Sequence, residues 1–169
     1  MTPAHASLPD AERLVQELVE KLRPHVTATT GMVGIVTGGA WLAERLHAAL
    51  GLQVPLGRID ISFYRDDFSK SGLKASVKPS QIPFEVADRD LLLVDDVLYT
   101  GRTTRAALNE LFDYGRPRSV KLVVLADRRE LELPIGAQFV GAVVEVPAGK
   151  SLDLARDAAG RLSFAINDR

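Results

Sequence analysis

The chain has no cysteine. That excludes a disulfide framework and a thiolate metal site, and it fits a cytoplasmic protein. An excess of charge of one sign is also missing: 21 Lys and Arg stand against 22 Asp and Glu, a formal net charge of −1. A balance so close to neutral argues against a globally basic nucleic-acid binder and leaves room only for a local basic patch. There is no run of 18 apolar residues and no signal-peptide pattern, so neither membrane insertion nor export is expected. The only histidines, His5, His25 and His47, lie far apart in sequence, a poor start for a zinc site. Neither GxxxxGK[ST] nor GxGxxG occurs, so no Walker loop or dinucleotide fingerprint is present.

What remains is a chain of 169 residues, 46% apolar and 25% charged. This is an ordinary globular balance, with enough length for one domain and a substantial core. Residues 1–9 are small and polar and read as a frayed terminus. Leu14, Val15, Leu18, Val19 and Leu22 recur at helical spacing within 10–22, and Pro24 ends that helix. Met32 to Val36 reads as a buried strand running into Thr37-Gly38-Gly39, followed by a helix over 40–50 closed by Gly51. Val54 to Tyr64 reads as the next strand. Residues 65–83 are polar, with weak periodicity, and too long for a casual connection, so a mobile functional loop or a strand pair is expected there. Strands are expected at 91–94, 120–126, 139–146 and 162–166, and a helix at 105–114 with Gly115 at its end. No internal repeat is visible. The alternation of strand and helix predicts an α/β fold, an open parallel sheet with helices on both faces. In such sheets ligands bind beyond the carboxyl ends of the strands. Four polar or glycine-containing loops leave apolar strands at that edge: 37–39, 64–67, 95–103 and 127–129.

The stretch 91–104, LLLVDDVLYTGRTT, says the most. Four apolar residues run into Asp95 and Asp96, then into a Thr-Gly-Arg-Thr turn and an amphipathic segment. Helix-start N–H groups behind such a turn face a phosphate, aided by the helix dipole. Paired carboxylates accept hydrogen bonds from sugar hydroxyls or sit beside magnesium. Two acids at a strand end before this turn are hard to explain by stability alone. The pattern is a cradle for a phosphorylated sugar.

VDDVLYTGRT at 94–103 resembles the phosphoribosyl-pyrophosphate (PRPP) motif of the type I phosphoribosyltransferases. The resemblance is close to one branch, the pyrimidine-operon regulator and uracil phosphoribosyltransferase family, PyrR. IDISFYRDDFSK at 59–70, IPFEV at 82–86, LVVLADR at 122–128 and ELPI at 132–135 extend it over about 11–147. It implies the type I phosphoribosyltransferase fold over a single domain, 1–169, with a central parallel sheet, a flexible loop and a small hood formed by about 128–169. By that resemblance Asp95 and Asp96 hold the ribose hydroxyls and, with Arg65, form the catalytic set. Thr100, Gly101, Arg102, Thr103 and Thr104 cradle the 5′-phosphate, and Val97, Leu98 and Tyr99 complete the PRPP segment. Thr37, Gly38 and Gly39 line the pyrophosphate side, and Tyr64 to Asp67 close over the site. Asp127 joins Asp95 and Asp96 around Mg2+, with Arg128 nearby, and the segment around Phe139 and Val140 holds the base.

The implied reaction is uracil plus PRPP giving UMP and pyrophosphate, in a homo-oligomer of the cytoplasm. Purine-using relatives place an acid where this chain has Tyr99, and a pyrimidine has no N7 for an acid to assist. Three positions depart from the family pattern. Gly38 stands where an arginine is usual, which removes a bidentate clamp on pyrophosphate; Arg65, Lys70, Lys74 or Lys78 are the candidate substitutes. DRRELELPI at 127–135 lacks the family's histidine, and Ala142 replaces a lysine. For the family's RNA-binding role, the first helix keeps Arg13 but carries Glu12 and Gln16. Phosphate neutralisation would then fall to Arg116, Arg118 and Lys121, or to Arg128 and Arg129. Two alternatives stay open: a nucleotide-sensing regulator with weak or no catalysis, and a phosphoribosyltransferase for another base.

Overall fold

The computed structural model describes residues 7–61 and 80–169. Tyr64, Arg65, Asp66, Asp67, Lys70, Lys74 and Lys78 lie outside them, and so does most of the expected loop.

The first helix, α1 (Ala11–Leu22), starts where the Asp10 carboxylate accepts the Glu12 N–H at 3.0 Å. It buries Leu14, Val15, Leu18 and Leu22, the face its spacing predicts. A short 3-10 turn at Arg23–His25 carries Pro24. Then follow β1 (Gly31–Ile35), α2 (Gly38–Leu50), β2 (Gly57–Ile59), β3 (Asp90–Leu98), α3 (Arg102–Asp113), β4 (Ser119–Asp127), β5 (Phe139–Val143), β6 (Lys150–Arg156) and β7 (Leu162–Asp168). Gly51 closes α2 in the left-handed region, φ 61°.

The first five strands form one sheet in the order β2-β1-β3-β4-β5, every pair parallel. Continuous burial along β1 and through residues 91–95 of β3 is what a sheet covered on both faces demands. On one face α1 and α2 pack Leu14, Leu18, Leu42 and Leu46 against Met32, Leu92 and Val123. On the other, Ala107 and Leu111 of α3 lie with Val33, Leu93 and Val124. Gly34 lets α2 press onto β1: a Cβ there would stand 2.8 Å from Ala40 Cα and from Ala43 Cβ.

Several expected boundaries change. The strand expected at Val54 to Tyr64 is, among the described residues, only Gly57–Ile59. Its alternation of buried, exposed and buried is that of a short strand at the sheet edge, where Arg58 bridges antiparallel to Gln81. β5 stops at Val143 rather than 146, while β3 runs on to Leu98, so both aspartates lie within the strand. β6 was not expected at all. It pairs antiparallel with β7 as a separate two-stranded sheet. Leu154 and Leu162 of this hairpin join the core around α1 and α2, and the Arg156 guanidinium lies 4.7 Å from the Trp41 ring centroid. Glu12 clasps the three parts together. Its carboxylate accepts Arg45 Nη1 at 2.9 Å, Arg45 Nη2 at 2.6 Å and the Leu162 N–H at 2.7 Å.

Candidate functional site

β3 delivers Asp95 and Asp96 to the carboxyl edge of the sheet. The Asp95 side chain accepts the Asp96 N–H at 2.9 Å, and Asp96 Oδ1 accepts the Val97 N–H at 2.8 Å. Asp95 is 6% exposed. These local bonds fix the carboxylates against their own strand before any ligand arrives.

The turn after β1 lies directly across this strand end. It contains a cis peptide between Val36 and Thr37, and Thr37 O accepts the N–H groups of Ala40 and Trp41 at 3.1 and 3.2 Å. Its two glycines face different things. A Cβ on Gly39 would sit 2.6 Å from Val94 O and 2.9 Å from Asp95 Cα, which is backbone. A Cβ on Gly38 would overlap the carboxylate of Asp96, 2.8 Å from its Cγ. So the loop 37–39 and the aspartate pair make one continuous wall.

Beyond Leu98 the chain turns at Tyr99 and Thr100, and Gly101 takes φ 91° so that α3 can begin. No side chain caps α3 from Gly101. The Thr100 hydroxyl accepts the Arg102 N–H at 3.3 Å, and Thr104 is buried. A helix start of this kind offers backbone donors and a positive dipole end to an anion. The turn is braced from the segment after β4. Glu132 N–H donates to Thr100 O at 3.0 Å, Arg102 Nε reaches Glu132 at 3.0 Å, and a Cβ on Gly101 would lie 3.4 Å from Ile135. The Arg102 side chain is thus turned toward Glu132, leaving the backbone of 100–104 to present the cradle.

Leu98 stands opposite Asp127 on β4, and Asp127 opposite Val143 on β5. Asp127 therefore reaches the same edge, but its carboxylate is occupied locally: Oδ1 accepts the Arg129 N–H at 2.8 Å and Oδ2 lies 3.4 Å from Arg129 Nε. Arg128 is buried, held by Glu130 at 2.9 and 3.2 Å. Its guanidinium carbon lies 4.0 Å from the Tyr99 ring centroid. Arg169, at the end of β7, lies 4.2 Å from the same centroid and donates to the Tyr99 hydroxyl at 2.8 Å. The open end of the β6–β7 hairpin, with Lys150 and Asp168 paired, therefore sits over this edge.

Phe139 and Val140 open β5, beside the end of α1. Phe139 pairs with Val123 at the start of β5, and its ring meets the edge of His25 at 5.1 Å. Val140 O accepts Lys21 Nζ at 2.9 Å. Through Val123 and Val124 the register continues to Val94 and Asp95, so β5 begins level with the aspartates, two strands across the sheet. Tyr99, Arg128 and Arg169 gather at the same sheet edge. Arg169 was missed; the Leu152–Leu154 alternation of β6 was the available signal that a hairpin would carry it there. The structure brings together Thr37, Gly38, Gly39, Asp95, Asp96 and the 97–104 segment, with Asp127 beside them. Among the described residues no three carboxylate or histidine side chains cluster to hold a metal by themselves.

A strand carrying two carboxylates toward its carboxyl end, a glycine turn laid over them and a helix start beside them agree with what comparison with known proteins finds. The phosphoribosyl transferase domain family matches residues 2–149. A "Bifunctional protein PyrR" of Pseudomonas fluorescens is 48% identical over 156 residues, 90% of this chain and 93% of that one. The chain belongs to the PyrR family of phosphoribosyltransferases. A second PyrR relative, from Ralstonia nicotianae, is 49% identical over 155 residues, covering 89% of this chain and 88% of its own. Among solved structures, a hypoxanthine phosphoribosyltransferase from Staphylococcus aureus superposes with a TM-score of 0.63 at 23% identity, over 80% of this chain and 73% of that chain. At that identity the likeness speaks for the type I fold alone. No helix among the described residues is long and apolar enough to cross a membrane.

Proposed function

We propose that this phosphoribosyltransferase joins uracil to the ribose of PRPP, releasing pyrophosphate and forming UMP. The observation that carries the reading is the meeting of three elements at one sheet edge: the Asp95-Asp96 pair, the 37–39 turn and the start of α3 at Gly101. Asp95 and Asp96 accept the ribose hydroxyls. The backbone N–H groups of 100–104 hold the 5′-phosphate, and the 37–39 turn faces the pyrophosphate. In the reaction the C1–oxygen bond to pyrophosphate breaks, C1 bonds to N1 of uracil, and N1 gives up its proton. Positive charge grows on the sugar and negative charge on the leaving group, so fixed dipoles at the turn and helix start favour the transition state over the ground state.

Mg2+ fits the donor set. Magnesium is commonly held by one or two carboxylates together with substrate phosphates, and Asp95 and Asp96 supply such a pair. Asp127 is the weaker candidate, since Arg129 engages both its oxygens. When bound, the ion would spread the charge growing on pyrophosphate. For the base, Tyr99 supports a pyrimidine: its ring and hydroxyl are packed against Arg128 and Arg169, with no acid at that position. Base recognition stays with the segment around Phe139 and Val140, which starts level with Asp95, and this Tyr99 neighbourhood under the hairpin end joins it.

A second reading has its own support. Gly38 leaves the turn without a guanidinium, and the relatives' printed name is bifunctional. In it, the same pocket senses UMP and turnover is weak. An output through RNA gains little from α1, where Glu12 is bound by Arg45 and Arg13 pairs with Glu17. Homo-oligomerisation and a cytoplasmic setting complete the proposal.

The test is incubation of purified protein with PRPP, Mg2+ and, in turn, uracil, cytosine, hypoxanthine and guanine, with products resolved by chromatography. UMP formed from uracil alone is the expected result. A purine nucleotide product would refute the base assignment, and tight UMP binding with no turnover would favour the sensor.

A further inference from the structure

The space that Gly38 leaves is filled from within the site. The position a Cβ would take overlaps the Asp96 carboxylate and lies 2.8 Å from Cγ and 3.2 Å from Cβ of Asp96. That carboxylate is anchored there, because its Oδ1 accepts the Val97 N–H at 2.8 Å. Gly39 is set by backbone contacts and permits no variation, whereas Gly38 meets only a side chain. Position 38 therefore decides where one of the two ribose-facing carboxylates stands.

We propose that Gly38 is a positioning residue for Asp96, seating its carboxylate against the pyrophosphate turn and biasing the site toward a nucleoside monophosphate over PRPP. This rests on the phosphoribosyl reading of the site. A carboxylate on that turn opposes a second polyanion there by like-charge repulsion, which fades only with distance and solvent screening. UMP carries the same ribose and 5′-phosphate but puts no anion on the turn, so it escapes this penalty. The missing side chain thus sets ligand preference in addition to removing a clamp.

Calorimetric titration with UMP and with PRPP and Mg2+ measures the preference as a ratio of dissociation constants. Gly38→Ala forces Asp96 off the turn and shifts the ratio toward PRPP by at least fivefold, about 1 kcal/mol. In the Asp96→Ala background the same Gly38→Ala change shifts it less than twofold, because the carboxylate it collides with is gone and only Cβ, at 3.2 Å, remains. Asp96→Ala alone keeps Gly38 and weakens UMP more than PRPP. Should Gly38→Ala fail to fold while the double variant folds, the collision is demonstrated directly, and the Asp96→Ala ratio carries the test. An unchanged ratio in Gly38→Ala, or equal shifts with and without Asp96, overturns the proposal. Wild-type protein that binds neither ligand would instead refute the phosphoribosyl reading on which it rests.

Discussion

Gly38 and Gly39 are adjacent and chemically identical, yet they do different work. Gly39 is required by the close approach of its turn to β3, where any Cβ meets Val94 O and Asp95 Cα. Gly39→Ala should therefore cost about 1–3 kcal/mol in overpacking, read as a lowered denaturation midpoint with an unchanged denaturant slope. The sequence marked both residues as one turn against pyrophosphate. It could not show that one faces backbone and the other a carboxylate, since that depends on the rotamer of a residue some sixty positions away. Tyr99 was legible as part of the turn between β3 and α3 from its place in the motif. Its second guanidinium, from Arg169, was not, because nothing local links positions 99 and 169. Tyr99→Phe keeps the ring under both cations and loses only the Arg169 hydrogen bond. It should cost about 0.5–1.5 kcal/mol of stability, measured by chemical denaturation.

Among the elements, the strands and helices with strong periodicity or buried runs were readable: α1, β1, α2 and β4 lie within two residues of where the spacing places them, and β3 and α3 are longer toward the turn between them. The failures were the weakly patterned ones. β2 is only Gly57–Ile59 among the described residues, and β5 stops at Val143, short of 146. The β6–β7 hairpin was half seen, as β7 only, because KSLDLAR at 150–156 places just two leucines on its buried side.

That hairpin is tied down by Glu12. The Arg45 hydrogen bonds, with the Leu162 N–H and against desolvation, lower the Glu12 carboxyl from 4.5 to about 2. A carboxyl depressed on folding contributes stability that is fully present above pH 4.5. The contribution is lost as pH falls from there toward 2. Glu12→Gln should remove about 1.5–3 kcal/mol at neutral pH. It should also flatten that acidic part of the stability profile, followed by urea denaturation at stepped pH. A profile identical to wild type would show that the clasp contributes nothing.

For the whole molecule, two cores on either side of one parallel sheet hold three separate chain segments at a single edge, and that convergence is what makes a site from residues far apart in sequence. Net charge near zero leaves anion capture to this edge. In the proposed reaction, backbone donors and Mg2+ brought with the ligand offset the repulsion of two aspartates. The account's central claim is that Asp95 and Asp96 form the ribose-binding wall of a phosphoribosyl site. Calorimetric titration of PRPP and Mg2+ into wild type and into the Asp95→Asn/Asp96→Asn double variant tests it most directly. The account predicts measurable binding to wild type and at least a hundredfold loss, about 2.7 kcal/mol, in a variant whose thermal unfolding still shows a folded protein. Equal affinity in the two proteins would contradict it.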